Sequence, residues 1–485
     1  MLENQSKFSM AVVEKFIQDI ADNLGASEMA IRFLLSLFAG YPLAFLYRSF
    51  IFGRSPNIQH IYFTICGISL CYFNYGTDVV HSMINIAVTY ILLLVCPGSK
   101  FSILFGFIFN SLYLVIAYYK CTDQTLTWTT PQCVICLRLT AVVFDVYDGQ
   151  KSKEKLSEDQ KESAISEVPS LLAICGQTYY FGTFLAGPQF NIKRYLQFVN
   201  GEFDDPQHKG PSRSVGPGLT RMSIGILYIA MYQIGGLLFN EEHMLSDDFM
   251  NHYFLTRCAY VLFYGRILFC QYIGCWLIAE GVCILNGLSY NGKDENGNIL
   301  WDGIQNVKPY PLETATSFHG LISAFNINTN LWMAKYLFKR LRFMGSKLLS
   351  QSVTLFYLAL WHGLKTGYYM NFFLEFFMVN TENQMTALSK KVPAIQKLSS
   401  MPSLQPFVWV VKKTFITFSL SYALVSFGLL EWNKYFKVYG SIYYIGHVIF
   451  MLVPLVVYLF AKVPISVYTS HRRNQSRELK EEKVD

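Results

Sequence analysis

Apolar residues come in long runs along this chain, and polar positions gather between the runs instead of alternating within them. A helix needs about 20 mostly apolar residues to cross the hydrocarbon core of a bilayer. The pattern predicts such stretches over residues 29–52, 58–75, 79–96, 101–119, 133–146 and 169–186, then over 222–239, 254–288, 320–337, 351–377, 408–430 and 442–462. By length and separation they amount to roughly ten to twelve transmembrane or re-entrant helices. Ahead of them, Val12, Val13, Phe16, Ile17, Ile20 and Leu24 recur at helical spacing, with Glu14, Lys15, Asp19 and Asp22 opposite. That spacing predicts an amphipathic helix lying on the membrane surface. The expected fold is all-α and integral to the membrane. It has an interfacial segment over residues 1–28, one membrane domain over 29–465 and a charged cytosolic tail over 466–485.

Composition agrees with this picture. The 485 residues are 52% hydrophobic, 16% aromatic and 15% charged, more apolar than soluble domains. A formal charge of +7, spread over short loops and the tail, makes no stripe for nucleic acid and suits anionic lipid headgroups or a CoA moiety. His471, Arg472, Arg473 and Arg477 follow the last apolar run and favour a cytosolic C-terminus. Lys483 lies third from the end, but no lysine occupies the fourth or fifth place, so the tail only hints at endoplasmic reticulum retrieval. No basic segment precedes a short apolar run and a cleavage site, so no cleaved signal peptide is expected. Sequons stand at Asn4 and Asn474, at opposite ends.

Cysteines such as Cys66, Cys71, Cys175, Cys270, Cys275 and Cys283 lie inside apolar runs and are expected as buried free thiols. Cys133 and Cys136 have redox or metal spacing but no second pair nearby. Neither a metal site nor a resident cofactor is expected. Polar loops fall at residues 150–167, 201–218, 291–314 and 381–405, and no repeat or soluble domain interrupts the apolar pattern.

The informative residues are polar ones at membrane depth, because each costs free energy unless it meets a partner or a cavity. Four clusters qualify. Phe144-Asp145-Val-Tyr-Asp148-Gly149 ends an apolar run and reads equally as a helix end with turn residues. Leu185-Ala-Gly187-Pro188-Gln-Phe190, followed by Lys193 and Arg194, breaks a helix where broken helices normally line a cavity or pack inside protein. Arg266, Gln271, Trp276, Glu280 and Asn286 form a third group, as apt for structural pairing as for chemistry.

The fourth group is the sharpest. Asn326-Ile-Asn328-Thr-Asn330-Leu-Trp332 opens a run carrying Lys335, Lys339 and Arg340, and His362 then sits within Leu358-Ala-Leu-Trp361-His362-Gly363. A histidine in such a place is commonly a satisfied interhelical hydrogen bond, or else a base.

Together these motifs resemble the membrane-bound O-acyltransferase family over nearly the whole chain. The family pattern is an Asn six residues before a Trp on one helix, and a His further on along an apolar helix; Asn326 with Trp332, then His362, fit it. Phe144-Asp145-Val-Tyr-Asp148-Gly149 and Leu185-Ala-Gly187-Pro188-Gln-Phe190 are similar to the phospholipid-acylating branch. Two departures stand out. Asn328 and Asn330 crowd the candidate, and Phe325 replaces the usual Trp before the Asn, so the helix assignment is open by one turn.

The resemblance implies a multi-span helical domain of the endoplasmic reticulum membrane enclosing a catalytic tunnel. Acyl-CoA would be the donor and a lysophospholipid the acceptor: the sn-2 hydroxyl of lysophosphatidylcholine, or its ethanolamine and serine analogues, receiving a long unsaturated chain. Membrane lipids and a homo-oligomeric partner are compatible with it. His362 is the expected general base, since a glycerol hydroxyl attacks a thioester only when its proton is removed. Asn326 would orient the hydroxyl or the histidine, or else donate to the thioester oxygen. Asn330, Trp332, Lys335, Asp145, Asp148, Gly187, Pro188, Glu280 and Trp361 are expected around the substrates. Lys335, Lys339, Arg340, Lys193 and Arg194 suit CoA phosphates or plain positive-inside anchoring.

No Gly-x-Ser-x-Gly elbow is present, and no Asp follows His362 at the spacing of a His-x4-Asp acyltransferase. Rival readings are a family enzyme with a sterol, diacylglycerol or peptide acceptor, a polytopic transporter, and an inactive scaffold. No inverted repeat supports transport.

Overall fold

A computed structural model of the chain describes residues 2–121, 126–203, 213–390 and 401–456. The tail, the Asn474 sequon, much of the 201–218 and 381–405 loops and the end of the last apolar run lie outside them. Among the described residues the regular secondary structure is helical, with two isolated backbone bridges in place of a sheet. Among the described residues seven helices are long and apolar enough to cross a membrane, and a bent pair, Trp432–Ser441 with Ile445–Val456, makes up to eight. Serines and asparagines start many of them. Ser27, Ser99, Ser170, Asn191 and Ser346 each accept a backbone N–H of the first turn.

The helices that matter for the site are α1 (Leu2–Leu24), α2 (Glu28–Leu46), α3 (Pro56–Tyr75), α4 (Val79–Val95), α5 (Lys100–Lys120), α6 (Thr129–Gly149), α7 (Glu158–Ser163), α8 (Leu171–Thr178), α9 (Ile192–Val199) and α10 (Val215–Leu238). Next come α11 (Glu241–Leu245), α12 (Asp247–Asn251), α13 (Phe254–Asn286), α14 (Pro309–Thr314), α15 (Phe318–Ala324), α16 (Ile327–Tyr336), α17 (Lys347–His362) and α18 (Thr366–Ser389). The first predicted helix forms as α1, which buries Ile17 and Ala21 against Ile31 and leaves Val12 and Phe16 exposed.

Three expected spans are broken. The 169–186 stretch is helical only as α8, because Gly182, Gly187 and Pro188 let the chain turn while buried. The 320–337 stretch splits into α15 and α16 at Asn326, whose φ of 50° is left-handed. The 351–377 stretch stops at Gly363, with φ 146°, before α18 begins.

The chain divides into two compact units. The first holds residues 1–238, 267–314 and 320–364. At its centre α6 is buried nearly all round, whereas α5 turns Phe101, Leu104, Ile108 and Leu112 outward as a lipid-facing helix would. Close packing in this unit needs Gly67, where a Cβ would lie 1.9 Å from the Tyr179 carbonyl oxygen. The second unit holds residues 239–266, 315–319 and 365–485. There α18 lies against the helix Gln405–Leu429, at a Gly367 whose Cβ would lie 2.0 Å from the Ser426 carbonyl oxygen.

Candidate active site

The first unit contains the sequence-predicted site residues other than Arg266, and α6 anchors two of them, Trp332 and Trp361. Trp332 on α16 donates its indole N–H to the Leu137 carbonyl of α6 at 3.0 Å. Trp361 on α17 donates to the Cys133 carbonyl at 2.8 Å. Cys133 and Leu137 are four residues apart, so the two acceptors stack on one face of α6, about 6 Å from each other along its axis.

Helix directions follow from neighbouring contacts. Beyond Trp332, Tyr336 reaches the Asp145 carboxylate at 2.8 Å, so α16 runs the same way as α6. Tyr357 stacks beside Trp332, its ring centroid 6.4 Å away, and Trp361 one turn later meets Cys133, so α17 runs the opposite way. Asn326 therefore lies about 9 Å back along the helical rise from Trp332, toward the N-terminal end of α6. His362 follows Trp361 at that same end, its ring 4.6 Å from the indole, and Tyr118 of α5 bonds the Trp361 carbonyl at 2.7 Å.

The asparagine cluster sorts itself. Asn330 donates to the carbonyls of Ile322 and Phe325, closing the end of α15. Asn328 donates to the carbonyls of Ile304 and Gln305. Asn326 sits half-buried in the left-handed conformation at the break, and its side chain makes no capping bond. Among the described residues its carboxamide has no hydrogen-bond partner. Asparagine is one of the few side chains that tolerate this backbone. The helix starts directly after Asn326.

Two further elements clamp this break. The buried Glu280 of α13 accepts the backbone N–H groups of Asn306 and Val307, both at 2.8 Å, and its other oxygen lies 3.5 Å from Arg221. The segment so held pairs with the chain on both sides of Asn326. The Asn306 carbonyl accepts from Ile327, Lys308 N–H donates to Ala324, and Val307 bridges Phe325. On the other side the Phe325 ring packs 4.0 Å from Phe269 and 4.9 Å from Trp276, and Trp276 donates to the Ala186 carbonyl at 3.0 Å. Buried Gly187 and Pro188 thus lie next to the residues supporting Asn326.

Asp145, Asp148 and Lys335 are engaged at the far end of α6. Asp145 accepts from Ser163 and Tyr336, and Lys335 bonds the Ser163 hydroxyl. Asp148 pairs with Arg340 at 2.5 Å and Lys151 at 2.9 Å, while Lys339 meets Asp159. Arg194 is bound to the Leu288 and Tyr290 carbonyls, and Lys193 to the Lys161 carbonyl. These cations therefore already have partners within the chain, and the two aspartates tie α6 to α16 and α7.

Arg138 escaped the sequence reading, although a charge inside the 133–146 apolar run was a signal. Fully buried on α6, it donates to the carbonyls of Gln177, Thr178 and Pro188 and to the Thr183 hydroxyl, supplying partners to the broken segment after α8. Asn306, Tyr336 and Ser163 were equally silent in sequence, being ordinary polar residues that only tertiary contacts distinguish.

The first unit thus holds long apolar helices with Asn326 at a helix break and His362 at a helix end, next to two tryptophans bonded to one buried helix. Residues 113–425 match the MBOAT, membrane-bound O-acyltransferase family. The chain is 39% identical over 452 residues to lysophospholipid acyltransferase 5 of Mus musculus, covering 93% of each. It is 40% identical over 440 residues to that of Homo sapiens, covering 90% of each, and 36% identical over 440 residues to that of Drosophila melanogaster, covering 89% of this chain and 88% of the relative. The chain belongs to the membrane-bound O-acyltransferase family: it is a multi-pass membrane enzyme that transfers acyl groups, which removes the transporter and scaffold readings.

Proposed function

We propose that this chain transfers a long unsaturated acyl group from acyl-CoA to the sn-2 hydroxyl of a lysophospholipid, lysophosphatidylcholine first and its ethanolamine and serine analogues with it. Support comes from the lysophospholipid acyltransferases it is similar to along nine-tenths of its length. The observation carrying the chemistry is that Trp332 and Trp361, six residues after Asn326 and one before His362, bond adjacent turns of α6.

In the proposed reaction the acyl chain lies in a tunnel within the helical domain. His362 takes the acceptor hydroxyl proton as the oxygen attacks the thioester carbon. The new ester C–O bond forms, the C–S bond breaks, and the departing thiolate takes the proton back from the imidazolium. Asn326, whose carboxamide is uncommitted among the described residues, donates to the thioester oxygen as charge develops there. No resident cofactor is needed, because acyl-CoA is itself consumed. The setting is the endoplasmic reticulum membrane.

The test is CoA-thiol release by purified protein given oleoyl-CoA with each lysolipid, a sterol, diacylglycerol or a peptide, using wild type, Asn326→Ala and His362→Ala. Release that requires lysolipid and vanishes in both variants is the expected result. Release with another acceptor alone, or full activity of His362→Ala, would overturn the reading.

A further inference from the structure

The second unit carries a cluster that the acyl-transfer site does not use. Two five-residue helices, α11 and α12, meet at Ser246 just before α13. From them and the residue that follows, His243, Asp248 and His252 bring one imidazole nitrogen, one carboxylate oxygen and one imidazole nitrogen within 4.8 Å of each other. We propose that these three side chains form a binding site for a transition-metal ion of the zinc class, with water completing the coordination.

Ligand atoms about 2.0–2.2 Å from a tetrahedral zinc sit roughly 3.3 Å from each other. The His252 Nε2 to Asp248 Oδ2 separation is 3.6 Å, longer than a hydrogen-bonded ion pair and near that value. The two imidazole centroids lie 6.0 Å apart with their planes tilted by 49°, so the rings do not stack on one another.

The site is also held in place without an ion. The His243 ring packs edge-on to Phe249 at 5.9 Å and against Tyr260 at 5.1 Å, which fixes its plane, and its nitrogens make no hydrogen bond among the described residues. Asn240 caps the His243 N–H, and Ser246 caps Phe249 while donating to the His243 carbonyl. Lys437 ties the loop down at the Leu245 carbonyl. Two imidazoles with one carboxylate select zinc-like ions over magnesium or calcium, which prefer all-oxygen shells. Sequence reading missed the set because a His-x4-Asp-x3-His spacing matches no familiar metal motif.

Without a metal the same geometry is an ordinary surface pair of Asp248 and His252 at i,i+4, which contributes little. The two cases separate cleanly. Full-length protein in phosphatidylcholine nanodiscs is titrated with zinc alone against a chromogenic chelator. One zinc per chain is expected, with affinity falling at least tenfold in Asp248→Asn and in His243→Ala/His252→Ala. His81→Ala, at a histidine stacked on Trp128 elsewhere, should bind as wild type. Asp248→Asn is near-isosteric at a side chain 75% exposed, so folding does not confound it. Absence of stoichiometric zinc in the wild type, or zinc held equally well by Asp248→Asn and the double histidine variant, would overturn the proposal.

Discussion

Trp332 and Trp361 belong to different helices, yet their indole N–H groups end on carbonyls of Leu137 and Cys133, one turn apart on α6. Both bonds lie where water is scarce, so their loss is not made good by solvent. The spacing of the two candidate catalytic side chains thus depends on a helix that contributes neither of them.

Replacing either indole by a ring without a donor should expose this dependence. In Trp361→Phe, the Cys133 carbonyl loses its partner at a cost of about 1–3 kcal/mol. Turnover should fall roughly tenfold or more, since small misplacements of reacting groups are costly. Single-turnover acyl transfer alongside detergent melting checks it: a large loss of rate with a modest shift in melting is expected, and an unchanged rate would count against the anchor.

The three asparagines should separate by phenotype. Asn326→Gly keeps the left-handed backbone at little cost and removes only the carboxamide. Its melting temperature should stay near wild type while turnover drops about 10²–10³-fold, the usual loss for an oxyanion donor. Asn330→Ala, by contrast, strips the cap from α15 and should lose stability first. Activity retained in Asn326→Gly would remove Asn326 from the chemistry.

Glu280 is expected to act on catalysis at a distance. Glu280→Ala leaves the Asn306 and Val307 N–H groups buried without an acceptor, about 1–3 kcal/mol for each, and loosens the segment paired around Asn326. Glu280→Gln keeps an oxygen for both donors and loses only the ion pair to Arg221. The expected order of turnover is wild type, Gln, then Ala, with the KM for lysolipid little changed. Equal activity of all three would show that the clamp does not matter.

Arg138 should be a folding residue. Arg138→Met orphans carbonyls of the 177–188 segment, again about 1–3 kcal/mol for each buried acceptor, and should abolish recovery of monodisperse protein in detergent. Arg138→Lys offers a point charge in place of a planar fork and should recover only part of the yield. Wild-type yield from the Met variant would argue against this role.

The order of helices and the membrane environment were legible in the chain because both rest on local hydropathy, which a bilayer enforces residue by residue. Asn326, Trp332 and His362 stand out in the chain as candidates because they are polar or aromatic exceptions in apolar runs. Three spans were legible only as apolar length. That the 169–186, 320–337 and 351–377 stretches break could not be read from hydropathy, because a broken helix at this depth survives only if another part of the chain satisfies its backbone. Arg138 does so for the first break, and Glu280 with the 306–308 segment does so for the second.

Asp145, Asp148, Lys335 and Glu280 are expected from the sequence to lie around the substrates, and a charge in an apolar run signals only that it needs a partner. Tertiary structure decided who that partner is: Tyr336 and Ser163 for Asp145, Arg340 for Asp148, two backbone amides for Glu280. Likewise three asparagines at alternate positions are indistinguishable by chemistry, and only their surroundings leave the Asn326 side chain without a partner among the described residues while employing the other two. Sequence determines where polarity is expensive; long-range packing determines which polar groups have partners and which stand ready for a substrate.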